Sequence, residues 1–198
     1  MHNLIVDIVT GGGYWGILFL MALENIFPPI PSELIMGLGG IAVSRGAMNF
    51  LPLLAFGTAG SVLGNYVWFW AGHAYGYERL RPFVARWGRW LTMEWEDVES
   101  ASAFFRKHGP WVVFVARFMP LVRTVISLPA GLAHMPVWKF VLFTAAGSAV
   151  WNVALILAGT WLGSTFAHAE EVIGWATIAL FAVAVIWYIY RVVTWERR

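Results

Sequence analysis

The sequence predicts an all-α polytopic membrane protein: an inverted-topology repeat with two re-entrant hairpins and three full transmembrane helices. Composition is the first reason. Of 198 residues, 60% are hydrophobic and 12% are charged, whereas soluble domains carry about 25% charged residues. The apolar residues recur along the whole chain, so they are not a cleaved signal peptide ahead of a soluble domain. We therefore treat residues 1–198 as one membrane domain. The absence of cysteine excludes disulfides and thiolate metal sites.

The lengths of the apolar segments are the second reason. Residues 51–76, 139–163 and 173–194 each reach the roughly 20 residues that a hydrocarbon core requires. Residues 1–13 end in three glycines and predict a short interfacial helix with a flexible joint. Residues 77–103 interleave arginines, acids and tryptophans, which predicts an amphipathic connector on the cytoplasmic side. The basic C-terminal tail is expected on that side too.

Two further apolar segments are interrupted in the middle. Residues 14–44 contain "FPPIPSE", and residues 104–136 contain "ARFMPLVRTVISLPAG". Broken backbone at membrane depth is tolerated only where it is buried in protein or lines a wet cavity. Both segments are therefore predicted to form re-entrant hairpins.

An internal repeat is the third reason. Residues 59–76 and 146–163 share seven identical positions at a fixed offset of 87, without a gap. Carried upstream, the same offset places one hairpin over the other. The distribution of arginine makes the two repeated spans cross in opposite directions, which is the plan of many secondary transporters. Repeat one is then 14–76, repeat two is 104–163, and 173–198 adds a C-terminal transmembrane helix with a basic tail.

Four charged residues lie within apolar sequence: Glu24 and Glu33 in the first hairpin, Arg117 and Arg123 in the second. Each would cost about 2.5–3.5 kcal/mol at mid-membrane, so they must pair or face water. Hairpin tips that meet at the midplane would place two carboxylates beside two guanidiniums. One interpretation is a structural clamp of buried ion pairs. The other is a binding site.

The binding interpretation gives the two residue types different tasks. Arg117 and Arg123 present rigid donor forks that bind phosphate, and Glu24 and Glu33 act as counter-ions that exchange protons. Ser32, Asn65 and Asn152 are supporting candidates, although an interhelical hydrogen bond is the simpler role for each asparagine. No catalytic or metal residue is predicted.

Three histidines are interpreted as interface or packing residues, because they lie far apart in the sequence: His73, His108 and His134.

Four stretches together resemble the DedA family, also described as the VTT or SNARE-associated domain family. They are "ENIFPPIPSE", "GSVLGNYVWFWAGHAYG", "FVARFMPLVRTVISLPAGLAHMPVWKF" and "GSAVWNVALILAGTWLG", within residues 14–165. The resemblance implies a bacterial inner-membrane protein of a family in which several members are implicated in flipping undecaprenyl phosphate. It also implies that the four charges occupy the family's required acidic and basic positions. Ser32 stands where many members have Gly, and Asn65 where many have Asp, which removes one proton carrier.

The function predicted from residues and resemblance together is a flippase for undecaprenyl phosphate or a related polyprenyl phosphate or phospholipid. The expected partners are a phosphate-bearing lipid and the bilayer, without nucleic acid. No cofactor is expected, while use of the proton-motive force and homo-oligomer formation stay open. A proton-coupled ion or drug antiporter and a lipid-modifying enzyme are the alternatives.

Overall fold

The computed structural model describes residues 2–26, 31–91, 95–119, 122–123 and 126–165, and six positions after residue 165. The described residues form helices and the turns between them. The helices are α1 (His2–Ile26), α2 (Ser32–Ser44), α3 (Phe50–Leu91), α4 (Trp95–His108), α5 (Trp111–Ala116), α6 (Ser127–Leu132) and α7 (Val137–Thr165).

Two helical stretches are long and apolar enough to cross a membrane: Phe50–Ala74 within α3, and Val137–Thr165. They match the predicted spans 51–76 and 139–163. Only 33% of each is buried inside the protein, and their outward side chains include Trp70, Leu142 and Leu157, each more than half exposed. A core helix of a soluble protein would be mostly buried, so these faces are typical of contact with lipid.

Glycines with positive φ interrupt the two long N-terminal helices. Gly13 (φ 54°) breaks α1 at the end of the predicted glycine joint, and Gly76 (φ 63°) breaks α3 just after its apolar stretch. An L side chain rarely adopts this backbone region, so glycine suits both breaks. The interfacial position of 1–13 and the cytoplasmic position of 77–103 stay predictions.

The predicted hairpins correspond to pairs of helices. In the first, α1 and α2 flank residues 27–30, which lie outside the described residues, and in the second, α5 and α6 flank a segment that is only partly described. The arms pack on different spans: α1 and α6 lie on α3, whereas α2 and α5 lie on α7. Each hairpin therefore bridges both long helices. Re-entrance itself stays a prediction, as does the third span, most of which lies outside the described residues.

Two close helix crossings have equivalent partners. A Cβ at Gly131 of α6 would meet the carbonyl of Phe69 and the amide of His73, while a Cβ at Gly40 of α2 would meet the carbonyl of Ile156 and the amide of Thr160. The span residues are related by the offset of 87, but Gly40 and Gly131 are 91 positions apart. The single offset carried upstream was therefore wrong for these hairpin arms, because the chain between the crossing glycine and the following span is four residues longer in the first repeat than in the second.

Two apolar clusters enclose the centre of the protein. One joins α1, α2, α3 and α7, and includes Met21, Met36 and Ile156. The other is centred on Phe69 and Phe140, whose rings stack at 4.2 Å. Polar side chains lie where these clusters meet.

Candidate functional site

A group of buried polar side chains lies where both hairpins meet the long helices. Burial without water requires each to find a hydrogen-bond partner within the protein. At most 9% of each residue's surface is exposed, and the members that contact one another are Glu24, Asn25, Ser32, Asn65, Arg117, Arg123, Ser127 and Thr144.

Arg123 is the ion-paired arginine of this group. Its Nη2 donates to Glu24 Oε1 at 2.5 Å, and its Nη1 donates to Ser32 Oγ at 2.6 Å. Nη1 also lies 3.7 Å from Glu33 Oε1, an oxygen without a hydrogen-bond partner. One guanidinium of the second hairpin thus lies between two carboxylates of the first.

Arg117 has neutral partners. Nη1 donates to Asn65 Oδ1 at 2.7 Å and to the carbonyl of Arg123. Nη2 donates to Ser127 Oγ at 3.2 Å and to Thr144 Oγ1 at 3.0 Å. These contacts fasten the end of α5 to α3, α6, α7 and the following turn.

Two asparagines connect the arginine environments. Asn25 Nδ2 donates to Glu24 Oε2 at 3.2 Å, and Asn65 Nδ2 donates to Asn25 Oδ1 at 2.6 Å. Asn65 Oδ1 accepts from both Arg117 and Ser127. A continuous hydrogen-bond network therefore runs from the carboxylate of Glu24 to the guanidinium of Arg117.

A small cavity adjoins this network. It has room for about one water molecule. Two donors that lack a hydrogen-bond partner, Arg117 Nε and Trp151 Nε1, belong to residues of its wall. The wall is formed by Met21, Glu24, Asn25, Ser61, Arg117, Arg123, Ser148, Trp151 and Asn152. Donors without partners beside a cavity are what an anion site requires.

The four charges predicted from the sequence do converge, but their pairing is asymmetric. The expectation of two carboxylates beside two guanidiniums holds for Arg123 and fails for Arg117, whose hydrogen bonds go to neutral oxygens. The three supporting candidates also differ in their positions relative to the arginines. Ser32 and Asn65 contact the arginines, whereas Asn152 lies in the cavity wall and donates to Thr58 Oγ1 at 3.3 Å.

Sequence reasoning missed three members of the network: Asn25, Ser127 and Thr144. Asn25 carried a signal, because it directly follows Glu24 in the same apolar run. Serine and threonine are common in packed membrane helices, so neither of the other two was distinguishable.

Sequence reasoning also missed a histidine contact. His73 and His134 lie together, with their Nδ1 atoms 3.4 Å apart. Among the described residues, no group of three or more histidine, cysteine or acidic side chains is placed to hold a metal.

Comparison with known proteins identifies the class. The sequence profile of the VTT domain matches residues 30–161, and the chain therefore belongs to the VTT domain family, which confirms the predicted resemblance. The match includes Glu33 and both arginines but begins after Glu24.

Three relatives show which named proteins the chain is similar to. An "alkaline phosphatase-like protein" of Lactococcus lactis subsp. lactis is 37% identical over 84% of this chain and 78% of its own. "Undecaprenyl phosphate transporter A" of Staphylococcus aureus is 33% identical over 84% of this chain and 82% of its own. The Bacillus subtilis protein of that name is 34% identical over 94% and 91%. No solved structure matches the chain.

Proposed function

We propose that this chain is a lipid transporter of the bacterial inner membrane that moves undecaprenyl phosphate, or a related polyprenyl phosphate or phospholipid, between leaflets. The observation that carries the proposal is Arg123, held between two carboxylates beside a cavity in a protein with lipid-facing spans. The names of the Staphylococcus aureus and Bacillus subtilis relatives support the same class of substrate.

Arg123 is the residue that exchanges partners in this proposal. A phosphate presents the same arrangement of acceptor oxygens to a guanidinium as a carboxylate does. An arriving lipid phosphate displaces Glu24 from Nη2 and takes both arms of the fork. On the far leaflet, the carboxylate recaptures the guanidinium and releases the lipid. Glu33 is the alternative partner, because its nearest oxygen already lies within ion-pair distance.

Arg117 has a different part in the proposal. Its Nη atoms are occupied by four neutral acceptors, so they position the turn that carries Arg123. Within the part of the chain that the structure describes, its Nε has no hydrogen-bond partner. The Nε–H donor and the positive charge of the guanidinium are therefore available to a phosphate oxygen in the cavity.

Proton coupling follows from the exchange. When phosphate takes the guanidinium, Glu24 is left buried without its cation, and protonation removes the energetic cost of an isolated buried charge. Lipid binding and proton uptake are then linked at one side chain. Asn65 stays neutral throughout, so it relays orientation and carries no proton.

The alternatives fit the contacts less well. An ion or drug antiporter can use the same glutamates but has no need of a guanidinium between them. A phosphatase requires a nucleophile with an adjacent base, or a metal-activated water. The hydroxyls of Ser32 and Ser127 instead accept hydrogen bonds from guanidiniums. The printed name of the Lactococcus relative therefore does not favour an enzyme here. The cytoplasmic C-terminus and any oligomer are also proposals.

The test is transport by purified protein in liposomes that contain a fluorescent analogue of undecaprenyl phosphate. A quencher that cannot cross the membrane reports the analogue remaining in the outer leaflet. We expect transport by the wild type and at least about tenfold slower transport by Arg123→Lys, since a point charge replaces a two-pronged donor.

Arg45→Lys is the matched control, because Arg45 is an exposed arginine outside the site. Equal rates in the wild type and Arg123→Lys, or movement of the dephosphorylated analogue at the wild-type rate, would refute the proposal. Release of phosphate during the assay would favour the enzyme. An imposed pH gradient that leaves the rate unchanged would remove proton coupling alone.

A further inference from the structure

Two exposed histidines lie in contact at the end of the first long span. His73 lies one residue before the end of the apolar stretch Phe50–Ala74, and His134 follows α6. Their Nδ1 atoms are 3.4 Å apart, and their rings are nearly perpendicular at 79°. Both are exposed, so the pair lies at the protein surface and is separate from the buried arginine network.

The backbone on each side holds the pair together. His134 has φ 50°, a left-handed conformation that few side chains other than asparagine, aspartate and histidine adopt. His73 packs its ring on buried Phe69 at 6.1 Å. The close crossing at Gly131, where a Cβ would meet the Phe69 carbonyl at 2.1 Å, fixes α6 against α3 beside both residues. The separation of the two nitrogens is therefore set by helix packing.

From this geometry we propose that His73 and His134 form a site for a divalent transition-metal ion such as Zn²⁺. Two nitrogens that each lie about 2.0–2.1 Å from a tetrahedral zinc are about 3.3–3.4 Å apart, which matches the observed separation. Imidazole is a preferred ligand of Zn²⁺, Cu²⁺ and Ni²⁺.

The proposed site is open. Among the described residues no third histidine, cysteine or acidic side chain joins the pair, so water completes the coordination. Zn²⁺ would bind Nδ1 of both neutral rings, each with its proton on Nε2, and would bridge α3 to the turn after α6, the helix that carries Ser127. Metal binding should therefore stabilise the fold as well as occupy the site.

The experiment titrates Zn²⁺ into untagged, chelator-treated protein in detergent, by calorimetry, and records the absorption of the Co²⁺-substituted form. The variants are His73→Gln and His134→Asn, the latter because asparagine tolerates positive φ. His108→Gln is the matched control, an exposed histidine whose Nδ1 contacts the carbonyl of Phe104.

We expect the wild type and His108→Gln each to bind one Zn²⁺ per protein molecule. Both site variants should bind that ion at least about tenfold more weakly, since loss even of an outer-shell partner lowers metal affinity about 10–100-fold. Zn²⁺ should raise the unfolding temperature of wild type and control alone. If the wild type binds no Zn²⁺, or if His73→Gln binds it as the wild type does, the proposal is wrong. Should His134→Asn fail to fold, His73→Gln decides.

Discussion

Arg117 and Arg123 lie six residues apart in one segment, and both are buried, yet their surroundings differ. Arg123 contacts two carboxylates, whereas Arg117 contacts neutral oxygens of four segments. An arriving anion can replace a carboxylate, because the guanidinium loses no charge compensation in the exchange. It cannot replace a hydroxyl and an amide that come from different helices. The comparison separates Arg123, whose Nη partners an anion can replace, from Arg117, whose Nη atoms hold four segments together and leave only Nε for an anion.

The largest effect that the comparison predicts is on stability. We expect Arg117→Lys to lower the free energy of unfolding by about 3–5 kcal/mol, because an ammonium cannot reach four acceptors and each lost charged hydrogen bond is worth about 1.5–3 kcal/mol. Arg123→Lys should lower it by less, because an ammonium still pairs with Glu24. Thermal and denaturant unfolding in detergent measure both. Equal destabilisation by the two variants would break the distinction.

The second prediction concerns Glu24, the partner that defines Arg123. If the pair is only a clamp, Glu24→Gln leaves a buried guanidinium underpaired and costs about 3–5 kcal/mol. If Arg123 exchanges partners, the variant folds and binds lipid phosphate as well as or better than the wild type, but transport is lost because no carboxylate displaces the phosphate. Unfolding, binding and transport are measured on the same preparation. Unimpaired transport would exclude both roles.

Part of the fold and part of the candidate site could be predicted from the sequence. Two spans and the convergence of the four charges were predictable, since a charge within an apolar run must find a partner. Which carboxylate pairs with which arginine was not predictable, because the pairing depends on how far each hairpin extends into the protein. The offset between Gly40 and Gly131 is 91, against 87 for the spans that they cross, so these arms are shifted by four residues relative to the spans. The contact between His73 and His134 spans 61 residues, and no local periodicity reports such a contact.

The third prediction uses a matched pair of glycines in the two long helices. A Cβ at Gly147 would lie 2.9 Å from Cγ of Arg117 and from the carbonyl of Phe114, whereas a Cβ at Gly60 would meet the carbonyl of Leu18 at 2.4 Å. Both alanine variants should destabilise the fold by about 1–3 kcal/mol. Gly147→Ala alone should also weaken lipid-phosphate binding, because it displaces the arginine that orients the turn. Unchanged binding at equal destabilisation would show that the position of Arg117 is not critical.

The smallest expected effect on stability belongs to Glu33, the second carboxylate of Arg123. Its side chain is 23% exposed, and its nearest oxygen lies 3.7 Å from the guanidinium, against 2.5 Å for Glu24. A longer, partly solvated pair contributes about 0–1 kcal/mol, so Glu33→Gln should unfold almost as the wild type does. If Glu33 pairs with Arg123 while Glu24 is protonated, transport by Glu33→Gln should nevertheless be at least several-fold slower. In that variant no carboxylate is available to displace the phosphate from the guanidinium. Glu33→Asp, which keeps the charge, should restore part of the rate. If Glu33→Gln transports at the wild-type rate, Glu24 alone exchanges with the lipid, and Glu33 belongs with the residues that fasten.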